Sequence, residues 1–167
     1  MKNLFLIRHA KSSWKEPHLP DFERPLNKRG KESLKIMSKF FSEKYPKPDL
    51  ILSSPAERAK VTAISFAEKL NYKVEKIIFL EELYMADSSD IAKIISQQNE
   101  DSTSIALFGH NPGLTDFVNL YSKSVLENIP TCGIVHLRME NNWKSLKHRS
   151  LSMVDFFYPK MFGEFKD

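Results

Sequence analysis

Leu4-Phe5-Leu6-Ile7-Arg8-His9-Ala10-Lys11 sets the architecture of this chain. The apolar run Leu4–Ile7 reads as a short buried strand, and an arginine and a histidine follow it at once. In an open α/β sheet, ligands bind just beyond the carboxyl ends of the strands. An arginine there offers a planar fork for a phosphate or carboxylate. A histidine beside it offers a nucleophile or a proton carrier.

The arrangement recurs twice. In Asp49-Leu50-Ile51-Leu52-Ser53-Ser54-Pro55-Ala56-Glu57-Arg58 an apolar strand again ends at small polar residues. Ser54 has the form of a helix N-cap, Pro55 suits the first helical position and Glu57 completes a capping box. Arg58 is then expected in the first turn of a helix, at the same sheet edge as Arg8. In Ser104-Ile105-Ala106-Leu107-Phe108-Gly109-His110-Asn111-Pro112-Gly113 the strand runs into His110, and Asn111 can cap a helix that starts at Pro112. A helix N-terminus aimed at His110 favours an anion there. Two arginines, two histidines and a helix N-terminus are thus expected to converge as a phosphate pocket containing a nucleophile.

The remaining chain alternates strand and helix. Strands are expected at 3–8, 49–53, 74–79, 104–109 and 133–139. Helices are expected at about 27–44, 55–70, 88–98 and 112–122, each with an apolar stripe such as Leu34, Met37 and Phe41 in the first. This order implies an α/β three-layer sandwich: a mostly parallel central sheet with helices on both faces. The apolar, aromatic stretch 151–158 reads as a further edge strand. The segment 12–26, with Trp14, Pro17, Pro20 and Pro25, has no period and reads as an ordered loop beside the first motif. At 167 residues, with no repeat, linker or low-complexity segment, the chain is expected to form one domain, 1–167.

Composition narrows the class. No apolar run approaches a membrane span, and the N-terminus lacks the pattern of a signal peptide. The single cysteine, Cys132, excludes an intramolecular disulfide framework; it reads as a buried structural thiol in a reducing cytoplasm. The net charge of +4 is spread among acids rather than blocked. A solvated surface therefore fits better than a nucleic-acid site, and the positive field would still steer an anionic substrate. No histidine pair has metal-ligand spacing such as H-E-x-x-H, so no metal and no cofactor are expected. His18, His136 and His148 have no partner in the sequence pattern.

The motifs together resemble the histidine phosphatase (phosphoglycerate-mutase-like) superfamily, and within it the small SixA-like phosphohistidine phosphatases. The segments that carry the resemblance are Leu-Ile-Arg-His-Ala-Lys-Ser-Ser-Trp at 6–14, Arg24-Pro25-Leu26-Asn27-x-Arg29-Gly30, Ser53-Ser54-Pro55-x-x-Arg58-Ala59-x-x-Thr62-Ala63, Glu82-Leu83-Tyr84, and Gly109-His110-Asn111-Pro112-Gly113-Leu114. Ala10 stands where glycine is commonest in the family, and Lys11 where larger relatives often carry glutamate.

The resemblance implies a phosphatase in which His9 attacks phosphorus and forms a phosphohistidine that water then hydrolyses. Arg8, Arg58 and His110 would hold the phosphoryl oxygens. Arg24 would add a contact at the rim or hold the loop by a salt bridge. Glu82, with Glu81 as competitor, would be the acid for a poor leaving group. Protein phosphohistidine is the expected substrate. A small-molecule phosphatase, a mutase and a non-catalytic phosphate-binding module are the alternatives. Short spans between motifs leave little chain for the lid a mutase needs.

Overall fold

The structure is a computed structural model and describes residues 1–163. Six strands form one sheet: β1 (Lys2–Arg8), β2 (Leu50–Ser53), β3 (Ile78–Phe79), β4 (Ser104–Gly109), β5 (Ile134–Met139) and β6 (Ser152–Phe157). Their order is β3-β2-β4-β1-β5-β6. β1, β2, β3 and β4 pair in parallel, and β5 runs antiparallel to both β1 and β6. Four helices complete the layers: α1 (Lys28–Lys44), α2 (Glu57–Lys69), α3 (Ser88–Ser96) and α4 (Gly113–Tyr121). The expected three-layer α/β sandwich is observed.

The period-2 geometry of a strand divides the core between two faces. Leu4 and Leu6 of β1 and Ile105 and Leu107 of β4 pack with Ile91, Ile95, Leu114 and Phe117 of α3 and α4. Phe5, Ile7, Ala106 and Phe108 point the other way, toward Met37, Phe41, Ala63 and Phe66 of α1 and α2. Strands buried on both faces are apolar without alternation, as Leu4–Ile7 is.

Three expectations need correction. The run 74–79 is not a full strand. Val74–Lys76 forms a single 3-10 turn, and only Ile78 and Phe79 pair with β2. Both are exposed, as befits a short edge strand. Ser54 does not cap α2: the helix starts at Glu57, with Ala56 at the cap and no side-chain cap bond. The Ser54 hydroxyl instead accepts from the Ala56 N–H at 3.2 Å and meets His110. Asn111 does hold the start of α4, accepting from the Thr115 N–H at 3.2 Å and hydroxyl at 2.9 Å, but Pro112 precedes the helix. The stretch 151–158 is confirmed as the edge strand β6.

Segment 12–26 is pinned at its neck. Ser12 bridges Leu26, and the Ser13 N–H donates to Pro25 O at 2.8 Å. Asn27 caps α1 by accepting from the Gly30 N–H at 2.8 Å. Gly30 lies so close to the backbone that a Cβ there would stand 2.1 Å from Lys11 O. The glycine therefore lets α1 press the Arg8–Lys11 segment into place. No helix among the described residues is long and apolar enough to cross a membrane.

Candidate active site

Strand order brings the motifs together. Arg8 lies opposite Gly109 in the parallel β1–β4 pair, and Ser53 lies opposite Phe108 in the β2–β4 pair. The residues that follow these strands, His9, Ser54 and His110, thus leave the sheet at one edge. The Cys132 N–H fastens the first motif from the side, donating to Arg8 O at 3.1 Å and His9 O at 3.0 Å. Cys132 is buried and its thiol is pushed far up by burial, as expected of a structural residue.

His9 is 6% exposed. Its Nδ1 lies 2.7 Å from Ala10 O. A carbonyl only accepts, so Nδ1 carries the ring hydrogen and Nε2 keeps its lone pair. The Arg58 Nε–H points at that lone pair from 3.4 Å. Burial pushes the His9 pKa down to about 3; the Ala10 contact opposes this, and His110, Arg58 and Arg8 add to it. His9 is therefore neutral at pH 7, with Nε2 toward the arginine. The segment that follows is braced by Thr62, whose hydroxyl accepts from the Ala10 N–H at 3.0 Å and donates to Arg58 O at 2.7 Å.

The other arginine and histidine surround it. Arg8 Nη1 donates to Ile129 O at 2.9 Å, whereas its buried Nε has no partner among the described residues. Burial and the neighbouring Arg58 charge hold the Arg8 pKa below its usual value. The ring of His110 lies 5.1 Å from that of His9, its Nε2 is 2.8 Å from the Ser54 hydroxyl, and its buried Nδ1 is unpartnered among the described residues. Burial first, then the charge of Arg58, pushes the His110 pKa down to about 4, although Asp21 opposes this. Buried polar atoms without partners are the places where a ligand can supply the missing bond.

Asp21 is the component that the sequence reading missed. Its backbone carbonyl accepts from Arg58 Nη1 at 2.8 Å and its carboxylate from Arg58 Nη2 at 3.0 Å. The same carboxylate accepts from the Tyr84 hydroxyl at 2.6 Å. Partial burial pushes the Asp21 pKa up, but the hydrogen bonds of Tyr84 and Arg58 with the Arg58 charge outweigh it and hold it at about 2. Asp21 thus fixes the guanidinium with its Nε edge toward His9. Nothing in the sequence separates Asp21 from Glu23 as the partner, because the contact spans from the loop to α2.

Two expected site residues lie elsewhere. Arg24 does not open onto the cleft. Its fork donates to the Ser12 hydroxyl at 2.6 Å, to Ser13 O at 3.3 Å and to Asp21 at 3.1 Å, and it stacks 3.5 Å from the Trp14 ring centroid. It is the loop clamp, and its hydrogen bond into the site is to Asp21. Glu82 sits in a 3-10 turn, Glu81–Leu83, that buries Leu83 in the core. The turn directs Glu82 into a separate depression beside Leu80, Asp90 and Lys93. Tyr84 faces the cleft in its place. Among the described residues, no group of three or more His, Cys, Asp or Glu is arranged to hold a metal ion.

The resulting cleft measures about 410 Å³ and is lined by Arg58, His110, Asp21, Tyr84, Asp87 and Asp116, among others. At its inner end Arg58 joins the cleft to the His9 ring, which lies beneath it; a guanidinium fork beside a neutral imidazole is the pairing that nucleophilic phosphoryl chemistry uses.

Known proteins resemble this chain in sequence and fold to different extents. An uncharacterised chloroplastic protein of Arabidopsis thaliana is 30% identical over 152 residues, covering 86% of this chain and 69% of that protein. The crystal structure of a proposed phosphohistidine phosphatase SixA from Agrobacterium tumefaciens superposes with a TM-score of 0.81 at 28% identity, over 95% of this chain and 98% of that one. The structure of the protein histidine phosphatase SixA complexed with tungstate has a TM-score of 0.82 at 19% identity, covering 96% and 99% of the two chains, which is a likeness of fold. The sequence profile of the histidine phosphatase superfamily (branch 1) matches residues 4–115, from within β1 into α4 and so through Arg8, His9, Arg58 and His110. This chain belongs to the histidine phosphatase superfamily.

Proposed function

We propose that the protein hydrolyses a phosphoryl group through a covalent intermediate on His9, and that its substrate is a phosphohistidine carried by a protein. The observation that carries the reading is the His9 ring: Nδ1 is held by Ala10 O and the Nε2 lone pair faces Arg58. Nε2 attacks phosphorus as the bond to the leaving group breaks on the opposite side. Arg8, Arg58 and His110 hold the oxygens over which charge redistributes. Water then attacks the same phosphorus, the N–P bond breaks, and His9 returns with phosphate released.

The substrate class follows from proton supply. His9, His110 and Asp21 have pKa values of about 3, 4 and 2, so none of them brings a proton to a leaving group at neutral pH. Glu82 lines a different depression. An alkoxide leaves poorly without an acid. An imidazole can take its proton from water before the P–N bond breaks, and so it asks less of the site. The likeness in fold and sequence to the SixA structure of Agrobacterium tumefaciens supports the same reading.

The test is to quench the enzyme in base during turnover of a labelled phosphohistidine peptide. Wild type should carry acid-labile phosphate. His9→Ala should carry none and lose on the order of 10⁴-fold or more in rate, as removal of a nucleophile typically does. Substantial turnover by clean His9→Ala would overturn the nucleophile. A wide preference in kcat/KM for sugar phosphates would replace the substrate by a small ester.

A further inference from the structure

The cleft has a two-sign charge pattern. Its inner wall carries Arg58 and His110, and the Arg58 Nε–H reaches His9 beyond the lining at 3.4 Å. Among the described residues that line it, Arg58 is the one residue with a permanent positive charge, whereas three are acids: Asp21, Asp87 and Asp116. The acids come from three separate elements. Asp21 is on the loop before α1, with its side chain 47% exposed. Asp87 is the N-cap of α3, held by the Asp90 N–H at 2.8 Å and the Ser89 hydroxyl at 2.7 Å. Asp116 is exposed in the first turn of α4. An independent feature points to a ligand at the inner wall: His110, which lines the cleft and is 9% exposed, has a buried Nδ1 with no partner among the described residues.

The geometry points to a charge filter: the acids at the rim select a phosphoryl group whose carrier is cationic or neutral around it, so the partner is a phosphoprotein with basic residues beside the phosphorylated side chain. This rests on the phosphatase reading and deepens it. A space of 410 Å³ is about 9 Å across if spherical, close to one Debye length at physiological salt. Rim charges therefore act on whatever sits outside the bound phosphoryl group. Asp21 is neutralised by its ion pairs with Arg58 and Arg24, so a small substrate with a second anion, such as a phosphorylated carboxylic acid, would place that anion against Asp87 and Asp116. A lysine or arginine beside a phosphohistidine would meet them favourably. Like charges brought together at an interface suppress the wrong partner.

The test uses two phosphohistidine peptides, identical except that one is flanked by lysines and the other by glutamates. Two readouts are taken with the full chain. One is kcat/KM on wild type and on the double variant Asp87→Asn/Asp116→Asn. The other is equilibrium binding by anisotropy, with the same pair of substitutions placed on a His9→Ala background that cannot turn over. Asparagine keeps the shape at both positions and remains a good N-cap at 87. Wild type should prefer the basic peptide. The double variant should lower that preference roughly tenfold, about threefold per charge removed across a solvated cleft, and high salt should shrink it in both proteins. Equal use of the two peptides by wild type, or a ratio unmoved by the double variant, would overturn the filter. A binding preference that behaves as expected without any turnover would instead sink the phosphatase reading and leave the filter standing.

Discussion

Strand β1 carries a cation at each end, Lys2 buried and Arg8 half-buried, and the two are treated in opposite ways. At the N-terminal end Lys2 is fully accommodated. Its ammonium donates to the carbonyls of Glu100 and Ser102 and lies 3.4 Å from the Glu100 carboxylate. Glu100 in turn accepts from the backbone N–H groups of Trp143 and Lys144 at 3.0 and 3.1 Å. At the C-terminal end Arg8 keeps an unpartnered buried Nε, with a second arginine close enough to lower its pKa. The same strand therefore closes one end with satisfied bonds and leaves the other end short of an anion. Like charges held together in a buried place are unfavourable for the fold and favourable for binding phosphate. The Lys2 end is satisfied within the fold, whereas the Arg8 end keeps an unpartnered donor that the proposed function assigns to the phosphoryl group.

The strongest way to break this contrast is at Arg58. Arg58→Ala should lose on the order of a hundredfold or more in kcat/KM, as the loss of one oxyanion donor does. It should also weaken inhibition by vanadate, while the melting temperature changes little, because relief of the like charge beside Arg8 offsets the lost ion pair with Asp21. Arg58→Lys should restore little, since an ammonium cannot reproduce the planar fork. An Arg58→Ala enzyme that unfolds but stays active when folded would reverse the assignment of the two ends.

Asp21→Asn sharpens the contrast by separating the fork from its holder. The amide keeps an oxygen for Arg58 but drops the charge that sets the guanidinium against His9. A loss of roughly tenfold in kcat, with a smaller change in KM, would identify a positioning role. If rate and vanadate inhibition both stay at wild-type values, Arg58 is held by its other contacts.

The histidines at the Arg8 end should give it a titration signature. His9 and His110 bind their protons at about 3 and 4 in the folded chain and near 6.5 when unfolded. Between those limits the unfolded chain holds more protons, so stability rises with pH through that window and is lost as pH falls from about 6.5 toward 4. His110→Ala should flatten this slope in chemical denaturation. The acid limb of kcat/KM should also lie well below 6.5, because His9 stays neutral there. A limb near 6.5 would mean that the ring is not desolvated.

The smallest effect belongs to the satisfied end. Lys2→Met should lower the melting temperature by a few degrees through the lost bonds to Glu100 and Ser102. The kcat should not move. A fall in kcat without a fall in stability would show that the two ends of β1 are coupled.

Local sequence determined what each segment does by itself. The apolar run Leu4–Ile7 specifies a strand buried on both faces. The stripe of Leu34, Met37 and Phe41 specifies a helix with one face in the core. Arg8, His9, Arg58 and His110 were legible because each follows an apolar strand within a few residues, so a local signal marked both the element and its end. Tertiary structure decided the rest, because strand order and loop contacts join residues far apart in the chain, which no short-range period encodes. The order β3-β2-β4-β1-β5-β6 is what lays Ser54 against His110 and turns an expected helix cap into a histidine partner. A single 3-10 turn, fixed by burying Leu83, sends Glu82 away and brings Tyr84 in. Asp21 became part of the site only when its loop folded across α2, where an ion pair with Arg58 could form over a separation of 37 residues.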